Sequence, residues 1–225
     1  MVPAPFENFT GSVEFQMSLN GIDKKDFPQG FYYYVQPNIT SIFPNSGPNG
    51  GNALVKVFGS GFRKDFPGVN LGCKIGEYYG RGEYFSEKEL YCFFNHLPLI
   101  EKNQTMNFSV ALNNYSFTQE NSSLNFTPYG IISIDPSSGP ITGGTEILIR
   151  GAGFYNSKNI RCSFGVRGYY QYTFAKYIDY NHVVCSSPEN FVLPAAGQLP
   201  FSVPFSVAMN DDEYSNYCIY FRPMD

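Results

Sequence analysis

Cysteine, histidine, acidic and tyrosine side chains are the groups in this chain that could do chemistry. Five cysteines, Cys73, Cys92, Cys162, Cys185 and Cys218, could bridge, bind metal or remain thiols. Zinc is disfavoured, because no C-x-x-C pair occurs and only His96 and His182 could add nitrogen ligands. The same histidines lack the neighbours of a nucleophile–base–orienter arrangement, so they read as loop or core residues. Asp211, Asp212 and Glu213 are adjacent acids. Calcium loops alternate their ligands and usually carry a glycine, so this run reads as a solvated turn. The glycine-rich runs 47–51 and 139–144 lack the Gly-Lys-Ser/Thr ending of a phosphate loop, and they precede strands where a phosphate cradle opens a helix. No catalytic, cofactor or metal site is read from the chain.

The elements that position these groups are strands. Of 225 residues, 43% are hydrophobic, which is material for a real core. Tyr and Phe number 18 and 22, and their runs are broken by Gly, Pro, Asn and Ser clusters, as in all-β proteins. Only 15% of residues are charged and the net charge is -4, so the dense basic field a nucleic-acid partner requires is missing. No segment has the roughly 20 uninterrupted apolar residues of a membrane span. The opening MVPAPFENFT has neither the basic region nor the apolar core of a signal peptide. An internal piece of a longer secreted chain is expected.

The chain repeats itself. Residues 39–62 align without a gap on residues 131–154. Ile42, Pro44, Gly47, Pro48, Gly51, Gly59, Gly61 and Phe62 recur as Ile134, Pro136, Gly139, Pro140, Gly143, Gly151, Gly153 and Phe154. Val55 and Val57, like Ile147 and Ile149, alternate as in a half-buried strand. A second shared block follows, MNFSVALNN from Met106 matching VPFSVAMND from Val203. Phe108, Val110 and Leu112 face one way, as do Phe205, Val207 and Met209. A partial copy, VEFQMSLNG from Val13, predicts Phe15, Met17 and Leu19 inward, and FYYYVQP from Phe31 repeats a last strand. A two-stranded remnant is marginal alone, so residues 1–37 read as the closing portion of a preceding unit or as a hairpin packed on the next domain. The joint at residues 127–130 is short and holds a proline, which predicts little swing.

The order I-x-P-x-S-G-P, G-G, strand, G-x-G-F, Cys, Cys, F-S-V resembles the IPT/TIG domain. The resemblance covers residues 39–127 and 131–223, with 1–37 as a partial copy. It implies an all-β chain of tandem immunoglobulin-like β-sandwiches with an incomplete N-terminal unit. The domains expected are 1–37, the C-terminal portion of a preceding unit, then 38–128 and 129–225, each a TIG domain.

Two cysteines at matching places in each repeat read as one disulfide per unit, Cys73 with Cys92 and Cys162 with Cys185; buried thiols are the alternative. Cys218 has no counterpart and reads as an unpaired, buried cysteine. Seven sequons for N-linked glycans occur, at Asn8, Asn38, Asn103, Asn107, Asn114, Asn121 and Asn125. None lies in the second unit, so sugar is expected on one face of the first unit, with the same face of the second left bare. Tyr169, Tyr170 and Tyr172 form a candidate interface, although strand packing alone also favours tyrosine.

The family and these features imply a non-enzymatic binding or adhesion module, extracellular or at the cell surface, with a ciliary surface included. It would be a segment of a larger multi-TIG protein. Its partners would be other proteins, including copies of itself or neighbouring TIG units; nucleic acid and a membrane span are not expected. The alternatives are a structural repeat of an extracellular or ciliary filament, the DNA-contacting module of a transcription factor, and an accessory domain of a glycan-processing enzyme.

Overall fold

The structure is a computed structural model describing residues 10–50, 53–66, 68–102, 104–119, 124–166, 169–189, 202–210, 214–215 and 219–224. The described residues form strands and connecting turns, with no helix among them. The chain opens with an antiparallel hairpin of β1 (Gly11–Met17) and β2 (Lys25–Tyr33), which pairs with no other strand. The first sandwich follows: β3 (Asn38–Phe43), β4 (Ser46–Pro48), β5 (Ala53–Ser60), β6 (Gly72–Ile75), β7 (Tyr78–Ser86), β8 (Glu89–Phe94) and β9 (Met106–Ala111). One layer is β3–β5–β8 and the other begins β6–β9. Strand β7 belongs to both, pairing with β6 through Tyr78 to Arg81 and with β8 through Arg81 to Ser86.

Strand β10 (Asn125–Asp135) is shared by the two units. Its start pairs with β9 at Asn125 and Phe126, and with β4, in parallel, from Thr127 to Tyr129. Its end pairs with β12 (Glu146–Ala152) from Gly130 to Asp135. The expected short joint is therefore continuous β-structure and not a loop. The second sandwich continues with β11 (Ser138–Pro140), β13 (Arg161–Val166), β14 (Tyr169–Asp179), β15 (His182–Ser186), β16 (Val203–Ala208) and β17 (Ile219–Met224). It repeats the first design: β12–β15 in one layer, β13–β16–β17 in the other, with β14 spanning both and β11 lying parallel to β17.

Each unit has its own core, because alternation sends every second side chain inward. Val55, Val57, Leu90, Phe108 and Val110 fill the first; Ile147, Ile149, Val183, Phe205 and Val207 fill the second. The disulfides Cys73–Cys92 and Cys162–Cys185 lie fully within these cores, with Cα separations of 5.9 and 6.6 Å. Each joins the two strands that flank β7 or β14, since Cys73 pairs with Gly80 and Cys92 with Gly82, and Cys162 with Thr173 and Cys185 with Ala175.

The G-x-G-F motif has a specific mechanical reason. A Cβ on Gly59 would collide with the carbonyl oxygen of Asn38, and one on Gly151 with that of Gly130. The first glycine thus stays in its strand and lets the opening strand of the unit lie close. Only the second, Gly61 or Gly153, turns the chain, with φ of +80° and +78°. Phe62 and Phe154 then plug the cores, at 0% and 2% exposure.

Gly153 also sits under the joint, where a Cβ would collide with the Pro128 carbonyl oxygen. Tyr129, whose backbone pairs with β4 of the first unit, buries its ring in the core of the second. A latch completes the joint: the Tyr180 hydroxyl donates to the carbonyl oxygen of Ile100 at 2.9 Å. Burial pushes this phenol above its ordinary range.

The hairpin departs from the inward expectation. Phe15 and Met17 are each 46% exposed and Leu19 is 95% exposed. Their counterparts Phe108, Val110 and Leu112 are fully buried within a sandwich, whereas β1 belongs to a two-stranded sheet with β2 alone among the described strands. The end of the hairpin does rest on the first unit, where Tyr32 and Tyr34 both stack on Phe66 with centroids 5.2 Å away. Gln36 donates to the Ser116 carbonyl oxygen at 3.1 Å.

Candidate functional site

The second unit carries an open aromatic face built on β14. Alternation along this strand places Tyr170, Tyr172, Phe174, Lys176 and Ile178 outward. Tyr170, Tyr172 and Phe174 are 47%, 50% and 73% exposed. The residues opposite are small: Tyr170 pairs with Gly165, Tyr172 with Ser163, and Ser163 in turn with Ser206. Large rings over a floor of small residues stand clear of the sheet and keep an accessible face. The guanidinium of Arg161 lies 5.1 Å from the centre of the Phe174 ring, within cation–π reach.

Two of the three tyrosines singled out from sequence share this face. Tyr170 and Tyr172 have ring centroids 6.3 Å apart. Tyr169 is exposed but sits one residue out of phase, so it projects from the other side of the strand. Tyr214 joins the face unforeseen, its ring 5.7 Å from that of Tyr172. It is carried by a segment that folds back along β16, where the Ser215 N–H donates to the Val207 carbonyl at 2.9 Å and the Val207 N–H to Ser215 Oγ at 3.2 Å. Thr118 makes the same two bonds with Val110 in the first unit. The residue before Thr118 is Phe117, and its ring lies 5.7 Å from Tyr79. The segment that carries Tyr214 is held by these repeated bonds, which leave no pattern in the residue spacing.

The matching strand of the first unit is a different surface. Outward from β7 stand Tyr79, Arg81, Glu83 and Phe85. Arg81 pairs with Glu83, and its guanidinium lies 5.0 Å from the centre of the Phe93 ring. Lys74 stands over the Tyr79 ring at 5.8 Å. Tyr79 and Phe85 are exposed here too, at 64% and 60%, but the Arg81–Glu83 ion pair separates them along the strand, whereas Tyr170, Tyr172 and Phe174 follow one another without a break.

The remaining candidates are placed as follows. Asn38 is exposed on β3, in the opposite layer from β9. Asn107 and Asn125 are half-buried cross-strand partners on β9 and β10. Asn114 is exposed in a turn, with φ of 61°. Asn8, Asn103, Asn121, Cys218 and the acidic run Asp211–Glu213 lie outside the described residues. His96 is exposed in a loop. His182 opens β15, with Nδ1 2.9 Å from Asp179 Oδ1. That carboxyl is held below its usual range, chiefly by the Asn181 backbone N–H and further by His182. Among the described residues no group of three or more His, Cys, Asp or Glu converges as metal ligands. No helix among them is long and apolar enough to cross a membrane.

Comparison with known proteins adds the following. The IPT/TIG domain family matches residues 37–127 and 128–222. Among solved structures, two of the full extracellular region of plexin A4 are similar, both at 17% identity. Their TM-scores are 0.44 and 0.47, over 84% and 85% of this chain. The chain spans 18% and 16% of those plexin chains. A surface glycan-binding protein from Prevotella bryantii matches at 12% identity and a TM-score of 0.30, over 83% of this chain and 42% of its own. No curated protein matches the chain.

Proposed function

We propose, from the premise that this chain belongs to the IPT/TIG domain family, that it is a non-enzymatic, extracellular segment of a larger adhesion or receptor protein. Its second unit binds another protein through the aromatic face of β14. The observation that carries this reading is the exposed row Tyr170, Tyr172 and Phe174, joined by Tyr214 and set over Gly165, Ser163 and Ser206. Tyrosine suits such a role, because it offers a large contact area at little rotamer entropy and is enriched at interfaces. The disulfides within both cores suit an oxidising compartment.

The test uses the full chain, labelled and multimerised, on cells and on arrays of extracellular proteins. Saturable binding that falls at least tenfold in Tyr170→Ser/Tyr172→Ser, with Tm moved by less than about 2 °C, supports the reading. Tyr79→Ser in the first unit should leave that binding in place. Binding unchanged by the second-unit substitutions would reject the face, as would a large drop in Tm.

A further inference from the structure

The outer face of the first unit holds two glycan acceptors side by side. Asn107 of Asn107-Phe108-Ser109 is the direct cross-strand partner of Asn125 of Asn125-Phe126-Thr127. Phe108 and Phe126 are fully buried in the core, so alternation places both asparagines, each half-buried, on the other face of the sheet with Thr127, while Ser109 on that face is covered in the folded chain at 3% exposure. One step along the ladder, the Phe108 N–H donates to the Leu124 carbonyl at 2.9 Å. The carbonyl of Asn107 turns the other way and accepts from the Gly76 N–H at 2.9 Å. Asn107 and Asn125 are therefore a non-hydrogen-bonded pair. Such pairs have Cα atoms about 4.5 Å apart and bring side chains closer than any other cross-strand position. In the second unit the matching partners are Pro204 and Tyr220, and neither can accept a glycan.

We propose that this hairpin is an N-glycosylation site for one glycan, carried by Asn107 or by Asn125 and never by both in a folded chain. The inference rests on the extracellular reading above and deepens it, because it puts sugar on the first unit where the second stays open. In the transfer, the anomeric C1–O bond of a lipid-diphosphate-linked oligosaccharide breaks and a C1–Nδ2 bond forms. Nδ2 gives up one proton, and the lipid diphosphate leaves. Each product has a pyranose ring, with its N-acetyl arm, directly beyond Nδ2. Two such rings on a non-hydrogen-bonded pair need the same space above the sheet. A chain modified at both asparagines cannot form the β9–β10 pairing that closes the first core. Asn38, exposed on the opposite layer, and Asn114, exposed in its turn, face no such rival among the described residues.

The test is secretion of the full chain from glycosylating cells behind a signal sequence. Monodisperse protein is digested with trypsin, which leaves Asn107 and Asn125 on one peptide, between Lys102 and Arg150. Electron-transfer fragmentation then reads both sites on the same molecule. The expected result is glycan on one of the two in each peptide, with Asn107→Gln driving Asn125 toward full occupancy and Asn125→Gln doing the converse. Doubly modified peptide in folded protein would overturn the proposal. So would an empty pair in a chain that carries sugar at Asn38 or Asn114. Sugar on none of the seven sequons would remove the extracellular reading as well.

Discussion

In both sandwiches one tyrosine of the strand that spans the layers meets an aromatic ring from the segment that folds back along the next sheet. Tyr79 meets Phe117 and Tyr172 meets Tyr214, each at 5.7 Å. Around that shared pair the units part company. The first sets Glu77 and Arg81 beside it, each in an ion pair; the second sets Tyr170 and Phe174. Nothing of the kind happens inside, where Phe108 and Phe205, or Val55 and Ile147, occupy equivalent and fully buried places. Inward positions are constrained by close packing, whereas outward positions are free to acquire a partner. A face that differs between copies is therefore a better pointer to function than any motif the copies share.

The comparison is tested most severely at the second glycine of G-x-G-F. Gly61 and Gly153 adopt the same left-handed conformation, but their neighbours differ. A Cβ on Gly61 would meet only the Cα of Pro37, at 3.5 Å, which is ordinary contact. On Gly153 it would strike the Pro128 carbonyl oxygen and lie 2.7 Å from the Tyr129 Cα, in the strand that joins the units. Gly61→Ala should cost about 1–2 kcal/mol, the conformational penalty alone. Gly153→Ala should cost on the order of 4 kcal/mol, as the clash adds to that penalty. Urea melts of the two variants measure this. Equal losses would mean that the joint yields as easily as the hairpin contact.

The disulfides should show the opposite pattern, a match between units. Their loops span 19 and 23 residues, so chain entropy assigns ~3 kcal/mol to each. Cys73→Ser/Cys92→Ser and Cys162→Ser/Cys185→Ser should lower stability alike, as read by calorimetry of each variant. A markedly larger loss in one unit would show that its core leans on the bridge more than the other does.

How far these features could be foreseen varies with their physical origin. The cores were legible, because burial on one face of a strand writes itself as a period of two, as at Val55, Lys56 and Val57. The cysteine positions were legible because the repeat aligned them. The shared strand was not: Pro128 and Gly130 read as a break, yet Pro128 sits opposite Gly47 in a parallel pair and Gly130 lies close to Asn49. The inward reading of Phe15 and Met17 failed because a period gives the face of a strand without saying whether anything covers it. Tyr170 and Tyr172 were found by type and Tyr214 was missed, because a fold-back held by the two bonds of one residue, Thr118 or Ser215, leaves no periodic trace.

The smallest expected difference is electrostatic. Among the described residues, each unit holds one exposed carboxylate below its ordinary range, Asp65 chiefly through the side chain of Arg63 and Asp179 chiefly through the backbone N–H of Asn181. A depressed carboxyl stabilises the folded state above the ordinary carboxylate pKa, and that contribution is lost as pH falls through the folded value. Both units should therefore weaken slightly on acidification. Salt should separate them. At about 1 M, where the screening length falls to about 3 Å, a full charge on Arg63 is attenuated more than a short bond to a fixed backbone amide. Carboxyl NMR titrations at low and high salt should show the Asp65 pKa rising toward its ordinary value while that of Asp179 moves less. If Asp179 rises as far, His182 and not the Asn181 amide is its main partner, and the two sites are held by the same force.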